Sequence, residues 1–152
     1  MDLETTSTAY HEAGHALLAH LMGGVVVVTS VESEFDGHGG HTSVEWGQCS
    51  GAELGRRTGI TALAGPAAEM TWRGAELLEE DLSEWAADEQ ALQMALALAG
   101  PPQEHGRFLE LWMRELHSIL GNPECWELVC RLADHLEAHG TLESDLLTEL
   151  LP

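Results

Sequence analysis

Glycine and proline cut this chain into long stretches of helical character and one short β-branched run. Ser7 and Thr8 are good helix N-caps, and the helix formers Ala16, Leu17, Leu18, Leu21 and Met22 follow them. A first helix is therefore expected from about Ser7 or Thr8 to Met22, stopped by Gly23 and Gly24. Residues 25–31 are β-branched and largely apolar, the pattern of a buried strand. A polar, glycine-rich loop through Gly40 comes next, and 41–46 reads as a return strand, making 25–46 a hairpin with a long loop.

Helical patterning resumes at about Ser50 and continues to Arg73, with a kink expected at Gly65-Pro66. The segment 74–82 reads as an acidic loop with some helical character. Further helices are expected over 83–99, 103–120, 124–139 and 142–151, separated by Gly100-Pro101-Pro102, Gly121-Asn122-Pro123 and Gly140. The expected fold class is mainly α (α+β), with one small β-hairpin beside the first helix.

Composition narrows the functions available. A chain of 152 residues fits a single domain, 1–152, and 44% apolar residues are enough for a core. There are 26 acidic residues against six Arg and no Lys, for a net charge of -20. Nucleic acid and anionic membrane are excluded as partners, since both need a basic face. The longest apolar run, 94–99, is too short to span a bilayer, and the N-terminus lacks the basic and apolar regions of a secretory signal. Three cysteines, an odd and sparse set, read as reduced thiols, so a cytoplasmic location is expected.

The chemistry concentrates in the first helix, at His11-Glu12-Ala13-Gly14-His15, an HExxH pattern. Residues four apart differ by about 40° around a helix, so both imidazoles project side by side and can bind one Zn²⁺. Glu12 does not ligate; it can serve as general base on a zinc-bound water. A catalytic site needs a third ligand. Leu18 and Leu21 occupy the positions where a metzincin would carry its Gly and third His, which excludes that class. His20 lies about 140° around the helix from His15. The best distant candidate is Asp88, on a helical face with Ala91, Leu92, Ala95 and Ala99, where a carboxylate needs a cation or donors. Asp81 and Glu84 read instead as cap and dipole residues of the same helix.

Other histidines carry weaker signals. His135 and His139 share an i, i+4 spacing without a following glutamate and read as solvated helix-face residues. His38 and His41 flank a glycine pair and read as loop polarity. Trp112 and Trp126 are expected in the core.

Four segments resemble, in order, the zinc peptidase domain of FtsH-type proteases. Thr8-Ala9-Tyr10-His11-Glu12-Ala13-Gly14-His15-Ala16-Leu17 looks like that family's HEAGHA helix, and Gly40-His41-Thr42-Ser43-Val44 is similar to its edge strand beside the active site. Leu63-Ala64-Gly65-Pro66-Ala67-Ala68-Glu69 resembles its glycine-containing helix, and Ala86-Ala87-Asp88 falls where the family has its aspartate ligand. The resemblance covers about 8–99 and leaves a helical C-terminal part, 103–151. Gly65-Pro66 stands where the family has Gly-Gly, and Glu69-Met70 where it has a double Glu.

The resemblance implies a zincin-like helical domain with zinc on His11, His15 and Asp88, and Glu12 as base. It also implies Thr42, Ser43 and Val44 as a substrate-binding strand. Glu69 reads as an outer group orienting a zinc-bound histidine. No GxxxxGK[ST] loop occurs in the sequence, so the expected enzyme is a stand-alone, ATP-independent zinc metalloendopeptidase acting on flexible or unfolded polypeptides. A homo-oligomer is left open. The alternative is a non-catalytic acidic interaction domain that keeps zinc for stability; the intact Glu12 favours the enzyme, because a purely structural site has no use for that carboxylate.

Overall fold

The computed structural model describes residues 2–32 and 39–152. It is mainly helical, with one small antiparallel sheet. The elements run α1 (Leu3–Leu21), β1 (Val25–Ser30), β2 (His41–Glu45), α2 (Gly51–Trp72), α3 (Ala86–Ala99), α4 (His105–Leu120), α5 (Pro123–His139), β3 (Thr141–Glu143) and α6 (Ser144–Leu150). A 3-10 segment, Glu79–Glu84, precedes α3. No helix among the described residues is long and apolar enough to cross a membrane.

Several boundaries differ from the sequence reading. Helix α1 starts one turn early, because the Asp2 carboxylate caps it by accepting from the Thr5 N–H at 2.7 Å. Ser7 and Thr8 lie inside the helix, and the Thr8 hydroxyl donates to the Glu4 carbonyl. Helix α3 starts at Ala86 rather than 83. Asp81 caps the 3-10 segment, accepting from the Leu78 N–H, so the helical charge pattern had merged two elements. Asp88 and Glu89 supply the acidic first turn of α3.

The hairpin is a three-stranded sheet in the order β2-β1-β3. Strand β3, which overlaps the start of the stretch read as the last helix, is only three residues long, below what periodicity can register. Strand β1 buries Val26, Thr29 and Ser30, whereas Val25 is 61% exposed. Its register shifts between Val26 and Val28, a bulge against β2. The loop expected between β1 and β2, including His38, falls at 33–38, outside the described residues.

Helix α1 is the centre of the fold, packed between α2 and α5 and against β1. Its small residues allow α2 to come close. A Cβ on Gly14 would lie 2.5 Å from the Ala64 carbonyl oxygen and 2.6 Å from Ala68 Cβ. Helix α2 is buried nearly all round from Ala62 to Glu69 and continues through Pro66 as one element. Trp112 is in the core as expected, while Trp126 is half-buried and stacks on Tyr10. His20 bonds the carbonyl of Pro152, away from His11 and His15.

Candidate metal centre

Close packing of α1 on α2, with the first turn of α3 beside them, brings five sequence-predicted residues together: His11, Glu12, His15, Glu69 and Asp88. His11 and His15 lie on one face of α1, their rings 4.8 Å apart and nearly perpendicular. Their Nε2 atoms converge on one carboxylate: His11 Nε2 is 2.7 Å from Asp88 Oδ2, and His15 Nε2 is 3.1 Å from Asp88 Oδ1. Asp88 thus sits where the sequence reading placed it, though Ala91 on the same helix is exposed and faces the cleft.

The other imidazole nitrogens are anchored. His11 Nδ1 donates to Glu69 Oε1 at 3.1 Å, and His15 Nδ1 donates to the Thr61 carbonyl at 2.7 Å. A helix carbonyl has a second lone pair for such a contact. Glu69 is itself held by Arg73 one turn on, whose guanidinium also donates to the Ser7 hydroxyl at 3.2 Å. Arg73 is a further residue of the site, and its signal in the sequence is the i, i+4 spacing of Glu69 and Arg73, that of a helical ion pair.

Two glycines keep the site open. A Cβ on Gly65 would fall 2.3 Å from His15 Nε2 and 2.7 Å from His11 Nε2, in the space between the imidazoles. A Cβ on Gly40 would fall 1.9 Å from the Ser30 carbonyl oxygen and 2.8 Å from Glu12 Cγ. Neither constraint is visible without the packing.

Two imidazole nitrogens and a carboxylate, with the second ring nitrogens already donating to oxygen, form a donor set that suits a divalent metal, zinc among them. The space Gly65 leaves at the two Nε2 atoms fits an ion there. Glu12 is 4% exposed, and one ligand atom each from His11, Glu12 and His15 lie within 4.8 Å of one another. Its carboxylate is turned to β2, however, where the Thr42 hydroxyl donates to Oε1 at 2.8 Å.

The electrostatics follow from this geometry. Burial disfavours charge on His11, but hydrogen bonds to Asp88 and then to Glu69 outweigh it and raise its pKa to about 10. His15 is also raised, the Asp88 charge overcoming burial. Burial opposes charge on Asp88, yet the His15 charge and the His11 hydrogen bond hold its carboxyl well below the usual range. Without metal, the site holds a proton on His11 at neutral pH. This pairing stabilises the fold fully below the ordinary value of 6.5 and is lost as pH rises through about 10. A metal needs neutral imidazoles, so its uptake displaces protons, and its affinity should climb with pH over that interval. Calorimetric zinc titrations near neutral pH, in buffers of different ionisation heat, should show at least one proton released per ion; zero release would contradict the pairing.

The site opens on a cleft of about 1430 Å³. Thr42 and Val44 line it from β2, whereas Ser43 is exposed and absent from its wall, as strand alternation requires. Trp46, Trp72 and Trp85 also line it, each half-buried, and the Trp85 ring centroid is 6.1 Å from that of His11. His135 and His139 stack on each other at 5.8 Å on the outer part of α5, away from this cleft. Compared with protein-family models and with curated proteins, the chain matches none.

Proposed function

We propose that this protein is a zinc-dependent, ATP-independent endopeptidase of flexible or unfolded polypeptides, a relative of the FtsH-type peptidase domain. The observation that carries the reading is the convergence of His11, His15 and Asp88, with a buried carboxylate, Glu12, held by Thr42 beside them on an open cleft. The three converging side chains would hold the ion. Zinc, when bound, supplies Lewis-acid activation of water and polarises the scissile carbonyl. Glu69 and the Thr61 carbonyl keep each imidazole in the tautomer that presents Nε2. Glu12 takes the proton from the attacking water and returns it to the leaving amine.

Strand β2 is an outer strand of the sheet and borders the cleft, which suits an extended substrate added by main-chain pairing. Such pairing reads little sequence, so preference falls to the walls. Trp72 is a rigid wall: it stacks on Tyr10 at 5.5 Å, and Tyr10 stacks on Trp126 at 5.8 Å. Glu4 and Glu84 also line the cleft, and its arginine, Arg73, is engaged by Glu69. Acidic walls on a chain of charge -20 favour substrates with basic side chains near the cut.

Matched basic and acidic unfolded peptides test this. The basic peptide should be cleaved faster without ATP, and the advantage should shrink with salt, since exposed charges are screened within about 8–10 Å near physiological ionic strength. Ser43→Pro removes a main-chain donor from β2 and should slow both peptides. Faster cleavage of the acidic peptide, or unchanged turnover with proline at position 43, would contradict edge-strand binding in an acidic cleft.

A further inference from the structure

Strand β1 ends in two polar residues with almost no exposure, Thr29 at 0% and Ser30 at 1%. Buried hydroxyls persist where they have partners. Ser30 bonds the Thr141 hydroxyl at 2.8 Å and the Gly140 carbonyl at 3.2 Å, tying β1 to the start of β3. Thr29 faces the other way. Its Oγ1 lies 2.7 Å from Oγ1 of Thr42, its cross-strand partner, and Thr42 Oγ1 lies 2.8 Å from Glu12 Oε1.

The proton directions in this chain follow from chemistry. An ionised carboxylate only accepts, so Thr42 spends its single O–H on Glu12. Its oxygen is then the acceptor for the Thr29 hydroxyl. Both donations point toward the carboxylate, and successive hydrogen bonds of one sense strengthen each other in a buried setting. Oε1 is held in this way, and both carboxylate oxygens keep a lone pair for proton transfer. Gly40 closes the other side, its missing Cβ leaving room for Glu12 Cγ.

We propose that Thr42, backed by Thr29, is the positioning residue for the general base, and that it ties the base to the strand on which substrate docks. This rests on the peptidase reading above. The main chain of β2 serves the substrate, and the Thr42 side chain on the same strand holds Glu12. Pairing of a substrate segment that orders β2 thereby orders the base as well. The alternation of a strand makes this double use available at Thr42 and Val44, which line the cleft, and only Thr42 carries a hydroxyl.

The test compares Thr42→Val, which keeps the β-branched shape without the donor, with Thr42→Ser, which keeps the donor. On an unfolded polypeptide, Thr42→Val should lower kcat about tenfold, the worth of a hydrogen bond to a charged group, with KM within about twofold. Thr42→Ser should retain most of the rate, and Thr29→Val should fall between. A second arm needs no activity: thermal unfolding of the full chain as wild type, Thr42→Val, Glu12→Ala and the double variant. Thr42→Val should lower Tm in the wild-type background and have little effect once Glu12 is gone. Additive Tm losses, or an unchanged kcat for Thr42→Val in an active enzyme, would overturn the proposal. A non-additive cycle in a protein without hydrolysis would keep the structural tie, but would overturn the base role and the peptidase reading with it.

Discussion

Replacing Glu12 by Gln should lower peptide hydrolysis by about 10²–10⁴, the usual contribution of a general base, while the metal stays in place. The amide keeps the shape of the side chain, and its carbonyl oxygen can still accept from Thr42. It cannot take a proton from water. The three converging groups, His11, His15 and Asp88, are untouched by the change. Zinc occupancy after dialysis should therefore match wild type, and the loss should fall on kcat. Equal rates for the two proteins would remove Glu12 from the mechanism.

Asp88→Ala should act on the metal itself. It removes the carboxylate on which both Nε2 atoms converge, and leaves two imidazoles against an open cleft. Loss of an outer-shell partner such as Glu69 costs about 10–100-fold in metal affinity, and loss of a direct ligand should exceed that range. Asp81→Ala is the matched control, because Asp81 caps the 3-10 segment and takes no part in the site. Direct zinc titration of the two variants separates them. Full occupancy in Asp88→Ala together with loss in Asp81→Ala would put the third ligand elsewhere.

The parts legible in the sequence were those set by local spacing. His11 and His15 share a helix face because four residues make slightly more than a turn, and Asp88 stood out as a carboxylate on a helical face with Ala91, Leu92, Ala95 and Ala99. The helix order followed from glycine and proline breaks. What stayed hidden depends on packing. Gly65 reads as a helix irregularity until α1 lies across it and its missing Cβ becomes the space between two imidazoles. Thr29 reads as an ordinary strand residue until cross-strand pairing sets it behind Thr42 and Glu12. The Thr61 carbonyl has no sequence signature at all, since any residue supplies one. The shift of the α1 start to Asp2 had a local signal, a carboxylate three residues before Thr5, but Ser7 and Thr8 competed as caps.

The cleft beside His11, His15 and Asp88 is proposed to hydrolyse peptide bonds when it holds zinc. The most direct measurement follows metal content and cleavage of an unfolded protein on one sample, before chelation, after it, and after zinc is restored. One zinc per chain is expected, with cleavage without ATP, loss of cleavage with the metal, and recovery on its return. Stoichiometric zinc with no cleavage in any of the three states would contradict it and point instead to an acidic interaction domain that uses zinc for stability.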